Sequence, residues 1–354
     1  MATTFSLSCP IPLQLTDRIL LGHGSGGKLS AALLSDIFFR AFQSPVLARM
    51  DDQAVFEISG TRLAFTTDTF VVKPLFFPGG DIGSLAVHGT VNDLAMGGAE
   101  PLYLSAGFIL EEGLDMDVLR RVAASMAHAA QASGAEIVTG DTKVVEKGCG
   151  DGIFINTTGI GLVRKGVNLS AANASPGDRV IVSGMLGDHG MAILSEREGI
   201  GFDTSIVSDS APLHTLVRTM LDATAGTSLS AIRCMRDPTR GGLASSLNEI
   251  AASAGVGIEL TETAIPIREE VRGACEMLGL DPLYVANEGK LVAIVAPEAA
   301  DAVLAAMLSH PLGADARLIG TVRAKHPGLV TIRTVFGTTR IVDMLSGDQL
   351  PRIC

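Results

Sequence analysis

Apolar residues recur at every second position in several stretches of the first half of the chain, a pattern typical of half-buried strands. It predicts strands at 63–68, 102–108, 137–139 and 153–160. The polar stretch 140–151 separates the last two of these, so we expect it to form their connection.

A period near 3.6 residues predicts helices between those strands. Asp81 is placed to cap the first of them, and the pair Gly97-Gly98 ends it. Gly134 ends a second helix, whose apolar stripe consists of Leu119, Val122, Met126 and Ala129. Strands and helices therefore alternate through the first half.

The alternation restarts after a loop at 166–178 that is rich in Asn, Ser, Gly and Pro. We therefore predict an α+β protein of two α/β domains, 1–165 and 166–345, followed by a flexible tail, 346–354. The second half is predicted to contain strands at 179–182, 256–260 and 291–295, helices at 239–254, 266–278 and 297–309, and two short strands joined at Phe336-Gly337.

Composition and charge exclude several classes of function. The 354 residues are 47% hydrophobic and 18% charged, which is typical of a globular chain, and the net charge is -11. No Lys/Arg run exceeds Arg120-Arg121, so neither a nucleic acid nor an anionic membrane is expected as a partner. No apolar run approaches the roughly 20 residues of a spanning helix, and no basic and apolar leader opens the chain. We expect a cytoplasmic protein.

The cysteines are scattered and contain no CxxC pair, which argues against zinc and against a redox dithiol. One of them ends the chain, and we treat the other four as small core or surface residues. The five are Cys9, Cys149, Cys234, Cys275 and Cys354.

The segment 22–30 is a glycine-rich loop that satisfies two phosphate-binding patterns in part. No acidic residue follows at the distance that a dinucleotide site requires, and Leu29 stands where a P-loop has its magnesium-binding hydroxyl. Several N–H donors beside the ammonium of Lys28 suit phosphates all the same. A flexible surface loop is the alternative.

Aspartates follow several of the predicted apolar segments, and we expect them to gather at one edge of a sheet. Mg²⁺ prefers carboxylate oxygens completed by waters and substrate phosphates, so this set suits Mg-ATP. Each Asp taken alone is better explained as a cap or turn residue, whereas the whole set is better explained as a metal site. The positions are Asp51-Asp52, Asp68, Asn92-Asp93 and Asp141.

Two further segments carry candidate chemistry. Asp237 and Arg240 lie where a helix is predicted to begin beside Gly241-Gly242, so Arg240 is a candidate phosphate ligand. A simple helix cap is the alternative. Glu288 follows an apolar segment and is a candidate base, with an exposed turn carboxylate as the alternative.

Taken together, eight segments resemble the HypE family of hydrogenase maturation factors, which belongs to the superfamily of aminoimidazole ribonucleotide synthetase, selenophosphate synthetase and thiamine-monophosphate kinase. The resemblance covers nearly the whole chain, and the terminal Pro-Arg-Ile-Cys is characteristic of HypE itself. The segments are GHGSGGKL, MDDQAV, TDTFVVKPLFFPGGDIG, HGTVNDLAMGGAEP, VTGDTKVV, MRDPTRGGLA, VANEGKL and PRIC.

The resemblance implies a fold and a reaction. The N-terminal sheet would pair with that of a second protomer in a homodimer, and the C-terminal domain would flank an ATP cleft. The carbamoyltransferase HypF would place a carbamoyl group on Cys354, and this chain would dehydrate it to a thiocyanate with ATP and Mg²⁺. The cyanide would pass to iron on a HypC–HypD complex and become a ligand of the [NiFe] hydrogenase centre.

The resemblance also implies roles for individual residues. Cys354 would carry the reacting group. Lys143 and Glu288 are our own candidates for charge stabilisation and proton removal near the carboxamide, with a simple salt bridge as the alternative for either. A small-molecule synthetase or kinase of the superfamily, and a non-catalytic assembly scaffold, are the alternative functions. ATP would be held by Gly24, Gly26, Gly27, Lys28, Asn92, Asp93, Asp237 and Arg240, and Mg²⁺ by Asp52, Asp68, Asp93 and Asp141.

Overall fold

The structure of the chain is a computed structural model. It describes residues 17–199, 206–225, 230–347, 350 and 352–354. None of the helices in these ranges has the length and apolar character that crossing a membrane requires.

Strands of the first half, within the described residues, form a five-stranded sheet and a small hairpin. The order in the sheet is β1-β2-β7-β5-β6, in which β5 and β6 are parallel and the other neighbours antiparallel. The hairpin consists of β3 and β4. The bounds are β1 Ala54–Ile58, β2 Thr61–Phe70, β3 Phe76–Phe77, β4 Gly80–Asp81, β5 Ala99–Glu111, β6 Glu136–Val145 and β7 Ile153–Val163.

The second half contains a seven-stranded sheet among the residues that the structure describes. Its order is β14-β13-β10-β12-β8-β11-β9, and only the β10–β13 pair is parallel. The bounds are β8 Arg179–Val182, β9 Ile232–Arg236, β10 Gly257–Thr261, β11 Val292–Val295, β12 Arg317–Arg323, β13 Val330–Arg333 and β14 Thr339–Val342.

Helices lie beside both sheets, and a π-helix at Leu34–Phe39 joins the first two α-helices into one segment. Short 3-10 turns occur at Leu21–Gly24, Leu47–Arg49, Ala171–Asn173, Glu262–Ala264, Pro282–Tyr284, Pro297–Ala299 and Pro311–Gly313. The α-helices are α1 Lys28–Leu33, α2 Arg40–Phe42, α3 Ile82–Met96, α4 Met116–Ala132, α5 Asp188–Glu198, α6 His214–Thr224, α7 Gly242–Ala254, α8 Glu269–Leu278 and α9 Ala300–Leu308.

Helix α3 connects the two halves. Most of its residues are buried, because it packs against β2, β5 and β7 on one side and against α6 and β9 on the other. Leu94 and Met96 of α3 share one apolar cluster with Leu216 and Met220 of α6. The two sheets are thus packed about a common core, and side chains on α3 can reach the space between them.

The first sheet is apolar on both faces. Ala64 and Leu104 face α3 and are buried, whereas Phe65, Tyr103 and Ile160 lie opposite one another on the other face and are exposed. The family resemblance predicts that a second protomer covers this face. That pairing stays a prediction.

Most predicted elements are confirmed, and three need correction. Strand β6 continues to Val145, so the first part of the predicted connection 140–151 is strand. Helix α7 begins at Gly242 rather than at Thr239, because the segment before it bends around two glycines with positive φ. Helix α8 begins at Glu269, so Pro266 is not in its first turn.

The Asp81 cap gives a test of local stability. Its side chain accepts hydrogen bonds from the N–H groups of Gly83 (2.7 Å) and Ser84 (3.1 Å), and the Ser84 hydroxyl lies 3.1 Å from the Asp81 N–H. Because these donors lie at the start of the buried helix α3, Asp81→Ala is expected to lower the free energy of unfolding by about 1–2 kcal/mol. Urea unfolding followed by circular dichroism measures the loss.

Asp115→Ala is the matched control for Asp81→Ala. Asp115 caps the more exposed helix α4 and accepts a single N–H, that of Asp117 at 2.7 Å. We expect the smaller effect there, about 0.5 kcal/mol. Equal losses in the two variants would contradict the role given to the reciprocal Asp81–Ser84 cap.

Candidate active site

Carboxylates from four separate elements meet between the two sheets. Asp52 precedes β1, Asp68 lies within β2, Asp93 is on α3, and Asp237 follows β9. The expectation that the aspartates stand at strand ends along one sheet edge is therefore wrong. They meet because α3 brings Asp93 next to β2, where the Thr66 hydroxyl donates to the Asp93 carboxylate at 2.8 Å.

Burial raises the pKa of all four carboxyl groups, and repulsion from neighbouring carboxylates adds to the shift at Asp52, Asp93 and Asp237. For Asp93 and Asp237 burial is the main cause, the neighbouring carboxylates add to it, and both pKa values lie well above the usual range. Burial also raises the pKa of Asp52 to about 6, although Arg236 opposes the shift. A bound cation would lower these pKa values, because it would offset the negative charge of the ionised carboxylates.

Arg236 offsets part of the negative charge of the carboxylate cluster, on the side of Asp52. This buried guanidinium contacts Asp52 at 2.9 Å and Glu249 at 2.8 Å through Nη1, and its Nη2 donates to the carbonyl of Met50. Burial alone would lower the pKa of Arg236, but Asp52 and Glu249 keep it above its usual range. Arg236 therefore stays charged and fixes the segment that carries Asp52.

The glycine-rich loop lies directly over Arg240 and the start of the tail. Arg240 Nη1 donates to the carbonyl of Gly24 at 2.9 Å. Gly26 has φ +73°, and a Cβ there would lie 2.5 Å from the Arg240 carbonyl oxygen. A Cβ on Gly27 would lie 2.3 Å from the carbonyl oxygen of Leu345, so both positions require glycine. Lys28 forms an ion pair with Asp343 and anchors the loop on the second domain.

Glu288 is buried, and its Oε1 has no hydrogen-bond partner. Burial raises the pKa of this carboxyl group well above its usual range, Asp68 and Asp237 add to the shift, and Arg240 opposes it. Its backbone is fixed by Asn92, whose Nδ2 donates to the Glu288 carbonyl at 3.2 Å. The carboxyl group is thus held in place without being neutralised by a contact of its own.

Asn92 itself is fully buried, and backbone groups use its amide on both sides. Besides the Glu288 carbonyl, its Nδ2 donates to the carbonyl of Ala211 at 3.1 Å, and its Oδ1 accepts the N–H of Leu213 at 2.8 Å. The side chain of Asn92 therefore supports the backbone around the site. The ATP-binding role that the resemblance implies for Asn92 stays a prediction.

The end of the chain lies inside this cleft. The N–H of Val71 donates to the carbonyl of Cys354 at 2.9 Å, and the N–H of Lys73 donates to that of Arg352 at 3.3 Å, so the tail pairs antiparallel to the chain that leaves β2. Ile353 is buried in the core of the first domain. Burial raises the pKa of the Cys354 thiol, Arg240 opposes this, and Glu288 adds to it. The charges of Arg240 and Glu288 therefore both act on the pKa of the Cys354 thiol.

Two cavities meet at the glycine loop and Arg240. The larger, of about 310 Å³, contains Gly26, Gly27, Asp52 and Asp237 in its wall. The other, of about 180 Å³, contains Ser25, Thr69, Ile353 and Cys354. Gly24 and Arg240 line both, so a group bound in the larger cavity lies next to the thiol.

Asp141 and Lys143 stand apart from these residues. They lie on β6, three strands from Thr69 in the register of the sheet, or about 14 Å at the usual strand spacing. Lys143 Nζ contacts Asp141 at 2.6 Å, both side chains are exposed, and this contact lowers the pKa of Asp141. Within one chain the structure does not bring them to Cys354. Among the described residues, no group of three or more His, Cys, Asp or Glu is close enough to hold a metal ion by itself.

The other cysteines are consistent with core and surface positions. Cys234 and Cys275 are buried and Cys149 is exposed, whereas Cys9 lies outside the described residues. Burial raises the pKa of Cys234 to about 12 and that of Cys275 to about 11, so neither thiol is reactive near neutral pH.

Sequence reasoning did not identify several residues that build the site. Asn287 accepts the N–H of Gly187 at 2.7 Å and donates to the carbonyl of Pro238 at 3.0 Å, which fixes the start of the Asp237–Arg240 segment. Asp209 accepts the N–H of Glu288 at 3.1 Å and pairs with Lys290 at 3.2 Å. Asn287 lies in a segment that sequence analysis singled out, but nothing near Asp209 signals its role, because its partners are distant in sequence.

Comparison with known proteins agrees with this architecture. Residues 50–163 match the N-terminal domain of AIR synthase related proteins, and residues 175–332 match the C-terminal domain. The carbamoyl dehydratase HypE of Cupriavidus necator is 56% identical over 356 residues, covering 100% of both chains.

Solved structures are also similar. Hydrogenase maturation protein HypE in complex with ATP is 50% identical and has a TM-score of 0.79, and the match covers 95% of this chain and 100% of that one. In a HypE–HypF complex, one chain is 50% identical with a TM-score of 0.83, covering 89% of this chain and 100% of that one. From its sequence and its fold, this chain belongs to the HypE carbamoyl dehydratase family of AIR synthase related proteins.

Proposed function

We propose that this chain is an ATP-dependent carbamoyl dehydratase of [NiFe] hydrogenase maturation, and that it acts on a carbamoyl group carried by its own Cys354. The observation that carries the proposal is the position of the chain end, since Cys354 lies in the cleft beside Arg240 and Glu288. A related protein of 50% identity was solved with ATP, which supports the nucleotide.

The residues present fit Mg-ATP. The hydroxyl of Ser245 is buried without a partner in the wall of the larger cavity, near the N-terminus of α7, so a phosphate oxygen can accept its hydrogen bond. Gly26, Gly27 and Arg240 would surround the phosphates. Mg²⁺ would be held by Asp52, Asp68 and Asp93 together with phosphate oxygens and waters, where it would offset the charge of the phosphoryl group in transfer.

The reaction removes water from S–C(=O)NH₂ and leaves S–C≡N. The carboxamide oxygen attacks the γ-phosphorus of ATP and ADP departs, so the oxygen becomes part of a good leaving group. Loss of both N–H protons and departure of phosphate then form the nitrile. The guanidinium of Arg240, which lines both cavities, is placed to stabilise the phosphoryl oxygens.

Glu288 is the proposed proton acceptor. Its raised pKa makes its ionised form a stronger base than an exposed carboxylate, and its unpartnered Oε1 is free to accept an N–H proton. The backbone contacts from Asn92 and Asp209 hold it there without using the carboxylate.

The partners are part of the proposal. A HypE–HypF complex of a related protein supports HypF as the carbamoyl donor to Cys354. Transfer of cyanide to a HypC–HypD complex, and a cytoplasmic location, follow from the family resemblance. A homodimer through the exposed apolar face of the first sheet would place Asp141 and Lys143 of each chain at the interface, because both lie on that face, and we propose that they act in the cleft of the other chain.

Intact-mass measurement of the C-terminal peptide tests the reaction. After incubation with HypF, carbamoyl phosphate and Mg-ATP, Cys354 is expected to carry a carbamoyl group that then loses the mass of one water. With a non-hydrolysable ATP analogue the adduct is expected to stay intact, because its oxygen is not phosphorylated. The exposed Cys149 serves as the internal control and is expected to remain unmodified. An unmodified Cys354, with HypF active on another substrate, would favour a small-molecule synthetase instead.

Gly27→Ala tests the nucleotide loop. Its new Cβ would clash with the backbone at Leu345 and move the loop, so we expect ATP affinity to fall about tenfold or more in titration calorimetry. Gly273→Ala on helix α8 is the matched control, because Gly273 lines neither cavity and no atom lies within 4 Å of a Cβ there, and the ATP affinity of this variant is expected to change less than about twofold. Equal effects would show that the loop does not close over the nucleotide in this geometry.

Mixed dimers test whether Lys143 acts across the interface. A Lys143→Ala chain keeps a reactive Cys354, and a Cys354→Ser chain keeps Lys143. Each variant alone is expected to form no thiocyanate. Their mixture is expected to recover activity, because the second chain supplies Lys143 to the first. An inactive mixture, with mixed dimers shown by native mass spectrometry, would place Lys143 outside the partner's cleft.

A further inference from the structure

A buried histidine contacts the tail on the side away from β2. His189 is on α5 and is fully buried. Its Nε2 lies 2.8 Å from the carbonyl oxygen of Ile353, the residue before the reactive cysteine. Its Nδ1 lies 2.8 Å from the hydroxyl of Ser208. None of the steps of the proposed reaction uses this imidazole.

The partners fix which nitrogen carries the proton. A carbonyl oxygen only accepts, so Nε2 must donate to Ile353. The hydroxyl of Ser208 accepts the N–H of Ser210 at 3.2 Å and is free to donate its own proton to Nδ1. Burial lowers the pKa of His189, although Asp209 opposes the shift, so the neutral ring with its proton on Nε2 is the favoured form.

The ring is held rigidly. The N–H of Ser208 donates to the carbonyl of Pro78 at 2.8 Å, which ties the hydroxyl partner to the first domain. The ring of Phe77 meets the imidazole edge-on, with centroids 5.6 Å apart and an angle of 88° between the planes. The imidazole therefore cannot rotate to follow a moving tail.

The tail residues alternate between two sets of partners. The carbonyls of Arg352 and Cys354 accept from the chain that leaves β2, and the carbonyl of Ile353, which points the other way, accepts from His189. Removal of the His189 donor would leave the described backbone of residues 352–354 held by hydrogen bonds from the β2 side alone.

We propose that His189 is a positioning residue, which holds the Ile353 peptide so that the Cys354 thiol stays beside Arg240 and Glu288. The inference rests on the proposed function, because it is there that Cys354 is given its reaction. His189 does not touch the reacting atoms, and it acts through the tail backbone alone.

Two amide variants separate this role from simple core packing. In His189→Gln the side-chain amide nitrogen reaches the position of Nε2 and can still donate to Ile353. In His189→Asn the shorter side chain reaches only the position of Nδ1, and the donor to the tail is lost. Both variants bury an amide of similar polarity, so they differ mainly in where the donor stands.

The first measurement is the alkylation rate of Cys354 in the unmodified protein without nucleotide, followed on the C-terminal peptide by mass spectrometry. His189→Asn is expected to raise the rate about fivefold to tenfold, the effect of one lost hydrogen bond on the release of the tail. His189→Gln is expected to stay within about twofold of the natural chain. The exposed Cys149 provides the reference rate in the same sample, and it is expected not to change.

The second measurement is single-turnover conversion of the carbamoyl adduct to thiocyanate. We expect it to slow in His189→Asn and to be retained in His189→Gln, whereas carbamoylation by HypF, which requires an accessible tail, is not slowed in either. Equal behaviour of the two variants would overturn the proposal, and so would a parallel rise at Cys149, which would indicate general loosening.

The two measurements also separate this inference from the proposed function. If the alkylation rates differ as expected but even the natural chain forms no thiocyanate, the role of His189 in holding the tail is supported and the dehydratase function is overturned. If thiocyanate forms at the same rate in all three proteins, the function is supported and the positioning role is overturned.

Discussion

Repulsion among buried carboxylates is the constraint around which the site is built. Four elements bring Asp52, Asp68, Asp93 and Asp237 together, burial raises the pKa of all four, and neighbouring carboxylates add to the shift at Asp52, Asp93 and Asp237. Such an arrangement is unfavourable for the protein alone, so the surrounding core must hold it in place. Helix α3 does so, since its apolar residues pack against both domains and leave Asp93 no other position. A cation bound between the carboxylates and the phosphates of ATP would relieve the repulsion among the carboxylates and offset the charge of the phosphates, which would couple nucleotide binding to the stability of the cleft.

The tail is held by many weak contacts rather than one strong one. It pairs through two backbone hydrogen bonds, buries Ile353, accepts a hydrogen bond from His189, and places Arg352 against Asp151. Each contact contributes little by itself, so the set can be released stepwise. The proposed function requires a tail that is carbamoylated by one partner and delivers cyanide to another, and such a tail needs a hold that is specific but reversible.

The sequence predicted the elements and the kinds of residue better than it predicted where the residues meet. The Asp81 cap and the glycine loop followed from local patterns, which survive folding because they depend on near neighbours, whereas the role of Cys354 came from the family resemblance. Asp141 was grouped with Asp68 because both follow apolar runs, but the register of the sheet sets them three strands apart and on opposite faces. Register depends on pairing between distant segments, and one residue of shift reverses the face. Asp209 and His189 were missed for the same reason, since each acts on a segment far along the chain.

The glycine loop lines the larger cavity and also contacts the segment from which the tail begins. The N–H of Lys28 donates to the carbonyl of Leu345 at 2.9 Å, and the Ser25 hydroxyl donates to that of Gly347 at 2.8 Å. Any movement of the loop towards phosphates therefore changes contacts with the segment from which the tail departs. A ligand shifts a conformational equilibrium only through a difference in affinity between two states, and these shared hydrogen bonds are where such a difference can arise. The loop that is proposed to bind the nucleotide and the segment that leads to Cys354 are thus in direct contact, so the proposed function needs no longer pathway to couple them.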